Sequence, residues 1–142
     1  MLRIIIALWT ATELRTGEET EAMKYVKQPT NQTCGQACIA MIKGKTVEEV
    51  IAELDTDKGL PPEQLIAAME KLGIRHDEDF TAVSRRTPMP EGMALLLVQT
   101  NYGYSHWTIW MDGRIYDPKF GIFNGEYPHG KMVQYMRVYP EG

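Results

Sequence analysis

The run His106-Trp107-Thr108-Ile109-Trp110-Met111-Asp112-Gly113-Arg114-Ile115-Tyr116-Asp117-Pro118 decides how this chain folds. Aromatic and β-branched residues dominate 106–111, which suits a pleated strand. Asp112-Gly113 is a strong hairpin signal. Arg114 to Tyr116 then returns, and Asp117-Pro118 ends the return strand. A two-residue turn pairs Met111 with Arg114, Trp110 with Ile115, Ile109 with Tyr116 and Thr108 with Asp117. Side chains alternate with period two, so His106 and Thr108 share a face, and Asp117 joins it as the diagonal neighbour of His106. Diagonal neighbours sit at about 7 Å, within reach of an imidazole and a carboxylate. A slip of one residue would carry Asp117 to the other face. On this register His106, Thr108 and Trp110 are expected to face the helix that starts at Cys34. Trp107, Ile109 and Met111 form the opposite, core-like face.

Outward from the hairpin, Met93 to Val98 is an apolar run of central-strand length. Asn101-Tyr102-Gly103-Tyr104 is a turn, and Val133 to Tyr139 is the last strand. Ile74-Arg75-His76 and Phe80 to Val83 are short strands, and Arg86 to Gly92 is a loop. Before residue 73 the pattern is helical. Thr33 caps a helix from Cys34 to Lys43 that buries Ala37, Cys38, Met41 and Ile42 and ends at Gly44. Thr46-Val47-Glu48-Glu49 has the form of a capping box, opening a helix with Val47, Val50, Ile51 and Leu54 on one face. Pro61 or Pro62 opens a third, Glu63 to Leu72, which turns Leu65, Ile66, Met69 and Leu72 inward and stops at Gly73. Helices first and an antiparallel sheet after them indicate an α+β fold.

The chain has 142 residues, 44% of them hydrophobic, and a formal net charge of −4. Its length suits one domain, assigned to residues 23–142. Residues 1–22 form an N-terminal extension. Within it, Leu2 to Trp9 is apolar but too short to span a bilayer, and reads as a strand or a loose extension. Basic residues are scattered, so neither nucleic acid nor membrane is expected as a partner. The two cysteines, Cys34 and Cys38, lie one helical turn apart, a poor geometry for a disulfide. Reduced thiols suit the cytoplasm.

Cys34 stands where the polar lead-in Gln28-Pro29-Thr30-Asn31-Gln32-Thr33 breaks into the apolar helix. Free N–H groups and a partial positive charge at a helix start favour thiolate over thiol. A thiol nucleophile needs a base, and the base needs an orienting partner. Of the three histidines, His76 and His129 are expected to be exposed. His106, with Asp117 in reach, is the candidate base. The Cys34 N–H would be one oxyanion donor; Gln28, Asn31, Gln32 and Gln36 are all near enough to supply a second, and spacing leaves that choice open. Cys34, Cys38 and His106 could offer zinc three ligands, but the cysteine spacing is helical and no second pair exists. No metal and no cofactor are expected. Lys43-Gly44-Lys45-Thr46 lacks phosphate-loop spacing. Tyr102, Gly103 and Tyr104 could line a cleft, and Glu126 to Gly130 could lie over the site.

Gln28, five residues, Cys34-Gly35, a helix, and much later His106-Trp107 followed by Tyr116-Asp117-Pro118 resemble the papain-like cysteine peptidases. The pattern is most similar to the double-glycine leader peptidases and their stand-alone relatives, which process bacteriocin precursors. The resemblance spans roughly residues 25–121. It implies Cys34 as nucleophile, His106 as general base, Asp117 as orienter and Gln28 as oxyanion donor, acting on a peptide or protein substrate. The tight His106-to-Asp117 hairpin, the lack of a following transporter domain and residues 1–22 depart from it. The alternatives are a non-catalytic peptide-binding module on the same fold, or a thiol-dependent acyltransferase or deamidase.

Overall fold

The computed structural model describes residues 23–86 and 88–140. The strand or extension expected at Leu2 to Trp9, and the whole of residues 1–22, lie outside the described residues.

Three helices, α1 (Cys34–Lys43), α2 (Val47–Leu54) and α3 (Pro62–Lys71), precede a seven-stranded sheet. The strands are β1 (Arg75–His76), β2 (Thr81–Ala82), β3 (Met93–Thr100), β4 (Ser105–Met111), β5 (Arg114–Asp117), β6 (Gly121–Asn124) and β7 (Gly130–Tyr139). Their order is β1-β7-β3-β4-β5-β6, with β2 also on β7, and every pairing is antiparallel. The chain is therefore α+β, helices first. The helix and strand positions follow the sequence pattern closely. β6 has no counterpart in it: Gly121 and Asn124 are weak strand formers, and Ile122 stays exposed.

Local signals account for the helices. Thr46 accepts the Glu49 N–H and the Glu49 carboxylate accepts the Thr46 N–H, the expected capping box. Pro62 opens α3, where a missing N–H costs nothing. Thr33 is the N-cap of α1 but makes no side-chain bond to the helix. Its hydroxyl turns back to Thr30, accepting that residue's N–H at 3.1 Å and donating to its carbonyl at 3.1 Å. Gly35 to Ile42 are all buried, a wider face than the expected stripe. A Cβ added at Gly35 would sit 3.1 Å from Leu60 Cδ1, so a larger residue there would have to push that side chain aside.

The sheet has two covered faces. On one, α1 and its neighbours pack against Leu95, Trp107, Ile109, Tyr116, Met136 and Val138, with Met111 alongside. On the other, Ala94, Leu96, Val98, Ile115 and Tyr135 pack with Trp110, Phe123, Tyr127 and Met132. This corrects the expected assignment of faces. Trp107 and Ile109 look toward the helix that begins with Cys34, and Trp110 lies on the opposite side. Alternation separates the two sets but carries no sign for which one meets the helices. Packing decided it: the Trp107 indole donates to the Leu60 carbonyl at 2.8 Å and its ring stacks on Phe80 at 5.8 Å. Among the described residues no helix is long and apolar enough to cross a membrane.

The hairpin itself has the expected register: Met111 opposes Arg114, Trp110 opposes Ile115, and Ile109 opposes Tyr116. Both turn residues adopt positive φ, 50° at Asp112 and 89° at Gly113, as a two-residue turn of matching twist requires. A β-branched residue is strained there, by about 1–2 kcal/mol. Gly113→Val is expected to lower the unfolding free energy by about that amount in a urea titration, and Gly113→Asn by less.

Candidate active site

Hydrogen-bonded pairs recur at every second position of an antiparallel ladder, so after Met111–Arg114 and Ile109–Tyr116 the next would be Trp107–Pro118. That pair is not formed, because the β4–β5 register ends at Ile109 and Tyr116. The Trp107 N–H instead reaches Cys34 Sγ at 3.5 Å, and the Pro118 carbonyl accepts the Gln28 N–H at 2.9 Å. Tyr25 adds a hydroxyl bond to the Asp117 carbonyl at 2.6 Å. The lead-in to α1 thus fills the gap left where the two strands part. Cys34 meets His106 at the end of a strand, which is how the pair forms although the sheet face differs from the expected one.

Asp117 is fully buried and His106 is 3% exposed. His106 Nε2 and Asp117 Oδ1 are 2.7 Å apart. An ionised carboxylate only accepts, so Nε2 carries the hydrogen and Nδ1 is left for Cys34. The ring lines the same cleft as Cys34. Burial by itself would lower the His106 pKa. The hydrogen bonds to Asp117 and Cys34, and their charges, outweigh it and raise the pKa to about 9. Burial would likewise raise the Asp117 pKa, but bonds from His106 and Tyr127, the nearby imidazole and the Lys119 N–H hold it below its ordinary value. Oδ1 also accepts the backbone N–H groups of Lys119 at 2.8 Å and Phe120 at 3.1 Å, while Oδ2 accepts the Tyr127 hydroxyl at 2.6 Å.

Cys34 is the first residue of α1, and the first N–H groups of a helix have no intrahelical acceptor. With the Thr33 hydroxyl turned away, no side-chain cap occupies them. Beside Cys34 opens a cleft of about 520 Å³, walled by Leu60, Pro61, Pro62, Leu97 and Trp107 and edged by Asn31, Gln32, Ser105 and His106. The residues lining it include no carboxylate and no lysine or arginine.

The four nearby amides separate. Gln36 is fully buried and spends both amide hydrogens on the Thr56 and Lys58 carbonyls, at 3.2 and 2.9 Å. It pins the loop that carries Gly59 and Leu60, and has no donor left for an oxyanion. Asn31 and Gln32 line the cleft. Gln28 is 7% exposed, gives one amide hydrogen to the Thr30 carbonyl at 2.6 Å, and leaves Oε1 without a partner. Gln28 does not itself line the cleft.

The other two histidines are not free in solvent as expected. His76 is half-buried between Glu70 and the Asp77 carbonyl. His129 stacks on Phe120 at 3.9 Å and bonds the Tyr102 hydroxyl at 2.8 Å. In each case tertiary neighbours closed over a residue whose local sequence is polar. Cys38 is fully buried, and burial first, then the neighbouring Cys34 and Asp117 charges, push its thiol well above its ordinary pKa. Among the described residues no group of three His, Cys, Asp or Glu side chains is placed to hold a metal ion. Tyr127 was not singled out by sequence reasoning. It lies in the Glu126–Gly130 loop, and no spacing rule links it to Asp117.

Two titrations follow. The raised His106 pKa contributes stability that is complete below pH 6.5, declines through the interval to about 9 and is absent above it. The lowered Asp117 pKa contributes stability present above pH 3.8 and lost as pH falls through its folded value. The stability difference between wild type and His106→Ala, from denaturant midpoints, is therefore expected to shrink between pH 6.5 and 9. A nuclear magnetic resonance titration of the His106 ring checks the same shift.

No family model and no curated protein matches this sequence.

Proposed function

We propose that this chain is a papain-like cysteine peptidase, or a close thiol hydrolase, that cleaves an amide bond of a peptide or protein substrate. The carrying observation is the buried His106–Asp117 pair, closed by a 2.7 Å bond, with half-buried Cys34 on the wall of the same open cleft as His106. Nucleophile, base and orienter stand in the order one mechanism requires.

Cys34 Sγ attacks the substrate carbonyl carbon, and the thiol proton resides on His106 Nδ1. Negative charge develops on the carbonyl oxygen beside the Cys34 N–H; the second donor is a side-chain amide, either Gln28, whose second amide hydrogen is unspent, or Asn31 or Gln32, which line the cleft. The intermediate collapses, the carbon–nitrogen bond breaks, and the leaving amine takes the proton from His106. A thioester on Cys34 remains. Water then attacks it, giving its proton to His106, and release of the acid restores the thiol. Asp117 keeps Nε2 protonated throughout, so Nδ1 is always the nitrogen that exchanges protons. The cleft, whose lining holds Leu60, Pro61, Pro62, Leu97 and Trp107 and no carboxylate, lysine or arginine, suits a peptide main chain with apolar side chains. Both cysteines are free, in keeping with a reducing, cytoplasmic setting.

Cys34→Ala and His106→Ala are each expected to abolish hydrolysis of a quenched-fluorescence peptide mixture, while Gln28→Ala lowers kcat roughly 10²-fold. In wild type, iodoacetamide at pH 6 should label Cys34 at least ~10-fold faster than the same residue in His106→Ala. Hydrolysis persisting at the wild-type rate in Cys34→Ala would refute the proposal. Peptide binding with neither turnover nor enhanced labelling would indicate a recognition module instead.

A further inference from the structure

We infer that Tyr127 is a positioning residue for the triad: its hydroxyl fixes the Asp117 carboxylate so that Oδ1 faces His106. The inference rests on the thiol-hydrolase reading and extends it to a residue outside the resemblance. The carboxylate has two oxygens and they are occupied differently. Oδ1 takes His106 Nε2 and two backbone N–H groups, from Lys119 and Phe120. Those donors all act on Oδ1, and Oδ2 takes none of them. Tyr127 supplies the donor on the other oxygen, 2.6 Å from Oδ2. A donor on each oxygen opposes rotation about the Cβ–Cγ bond and so holds the direction of the bond to His106.

Tyr127 is itself anchored. Its ring meets Phe123 edge-on at 5.6 Å and His129 at 5.8 Å. The loop that carries it is tied to the β3–β4 turn by the Asn101 N–H on the His129 carbonyl at 2.8 Å, and by the Asn101 side chain on the Pro128 carbonyl at 3.2 Å. The same loop touches the other end of the pair. His129 stacks on Phe120, and Phe120 meets the His106 ring edge-on at 6.3 Å. One loop therefore bears on both the imidazole and the carboxylate. Burial, the bond to Asp117 and its charge raise the Tyr127 pKa far above that of an ordinary phenol, so the hydroxyl remains a donor throughout the working range.

The groups facing Asp117 are His106 from β4, Tyr127 from the loop before β7, Tyr25 from the lead-in and the buried Cys38 of α1. Of these, His106 and Tyr127 donate to the carboxylate, and both hold its pKa down. Removing the Tyr127 hydroxyl must move that pKa up, toward neutrality. Protonated Asp117 no longer orients His106, so the acid limb of any reaction that needs the pair moves up with it.

The test is the rate of Cys34 alkylation by iodoacetamide from about pH 2.5 to 9 in wild type, Tyr127→Phe, Phe123→Leu and His106→Ala, with thermal unfolding measured in parallel. Tyr127→Phe keeps the ring and is expected to shift the acid limb upward by about half to one pH unit and so to slow labelling by about 3–10-fold at a fixed pH on that limb. Phe123→Leu touches the same ring and should lower the unfolding temperature without moving the limb. An acid limb in Tyr127→Phe that coincides with wild type overturns the inference, whatever the loss of stability. Equal rates in wild type and His106→Ala overturn instead the thiol-hydrolase reading on which it rests. Should Tyr127→Phe not fold, a nuclear magnetic resonance titration of the assigned Tyr127 ring in wild type and Asp117→Asn decides. A Tyr127 ionisation delayed in wild type and brought forward in Asp117→Asn supports the inference, and a Tyr127 titration that is the same in both overturns it.

Discussion

A carboxylate with no exposure to water is the constraint around which this structure is arranged. An ionised Asp117 in the interior is tolerable only if its oxygens are met by donors. Four donors meet it: an imidazole, two backbone N–H groups of the turn that follows, and a phenol from a loop ten residues further on. Each donor fixes a different piece of chain. The imidazole ties the end of β4, the turn directs the chain into β6, and the phenol draws in the loop that leads to β7. The backbone carbonyl of the same residue holds Tyr25 and thereby the segment entering α1. Electrostatic need and chain topology meet at one residue.

The parting of β4 from β5 is the second organising fact. A hairpin that ran two residues longer would satisfy Trp107 and Pro118 with each other and leave no place for Cys34. Pro118 cannot donate to a ladder, and the turn after Asp117 spends its N–H groups on the carboxylate. The strands separate, and the unpaired Trp107 N–H and Pro118 carbonyl are taken up by the sulfur of Cys34 and the backbone of Gln28. Helix α1 is thus docked by its first residue, and its uncapped N-terminus opens on the cleft. Gly35 permits the approach of Leu60, and Gln36 holds the loop from which Leu60 comes. Gly35 and Gln36 thus have separate structural tasks directly after the proposed nucleophile.

Much of this was legible in the residues. The Asp112-Gly113 turn set the register, because a two-residue hairpin admits only one. The Thr46–Glu49 box and the proline at the start of α3 marked helix starts, because each satisfies or removes an orphan N–H. His106 and Asp117 could be paired on the same grounds. Other features were not legible. The face of β4 that meets α1 was assigned the wrong way round, since period two is symmetric between faces. β6 was missed because four residues with glycine at one end make no pattern. His76 and His129 were read as exposed because their neighbours in sequence are polar, while their neighbours in space are Glu70 and Phe120.

By itself, then, the sequence determined the order of elements, the α+β class, the hairpin register and the location of Cys34 at a helix start. All of these depend on residues within about one turn or one hairpin of each other, where backbone geometry leaves few choices. Tertiary structure alone decided that Gln36 has no amide hydrogen to spare, that Tyr127 completes the coordination of Asp117, and that Cys34 and His106 line one cleft at a strand end. Those depend on contacts between segments tens of residues apart, whose distances are set by packing and by the demand that every buried polar group find a partner.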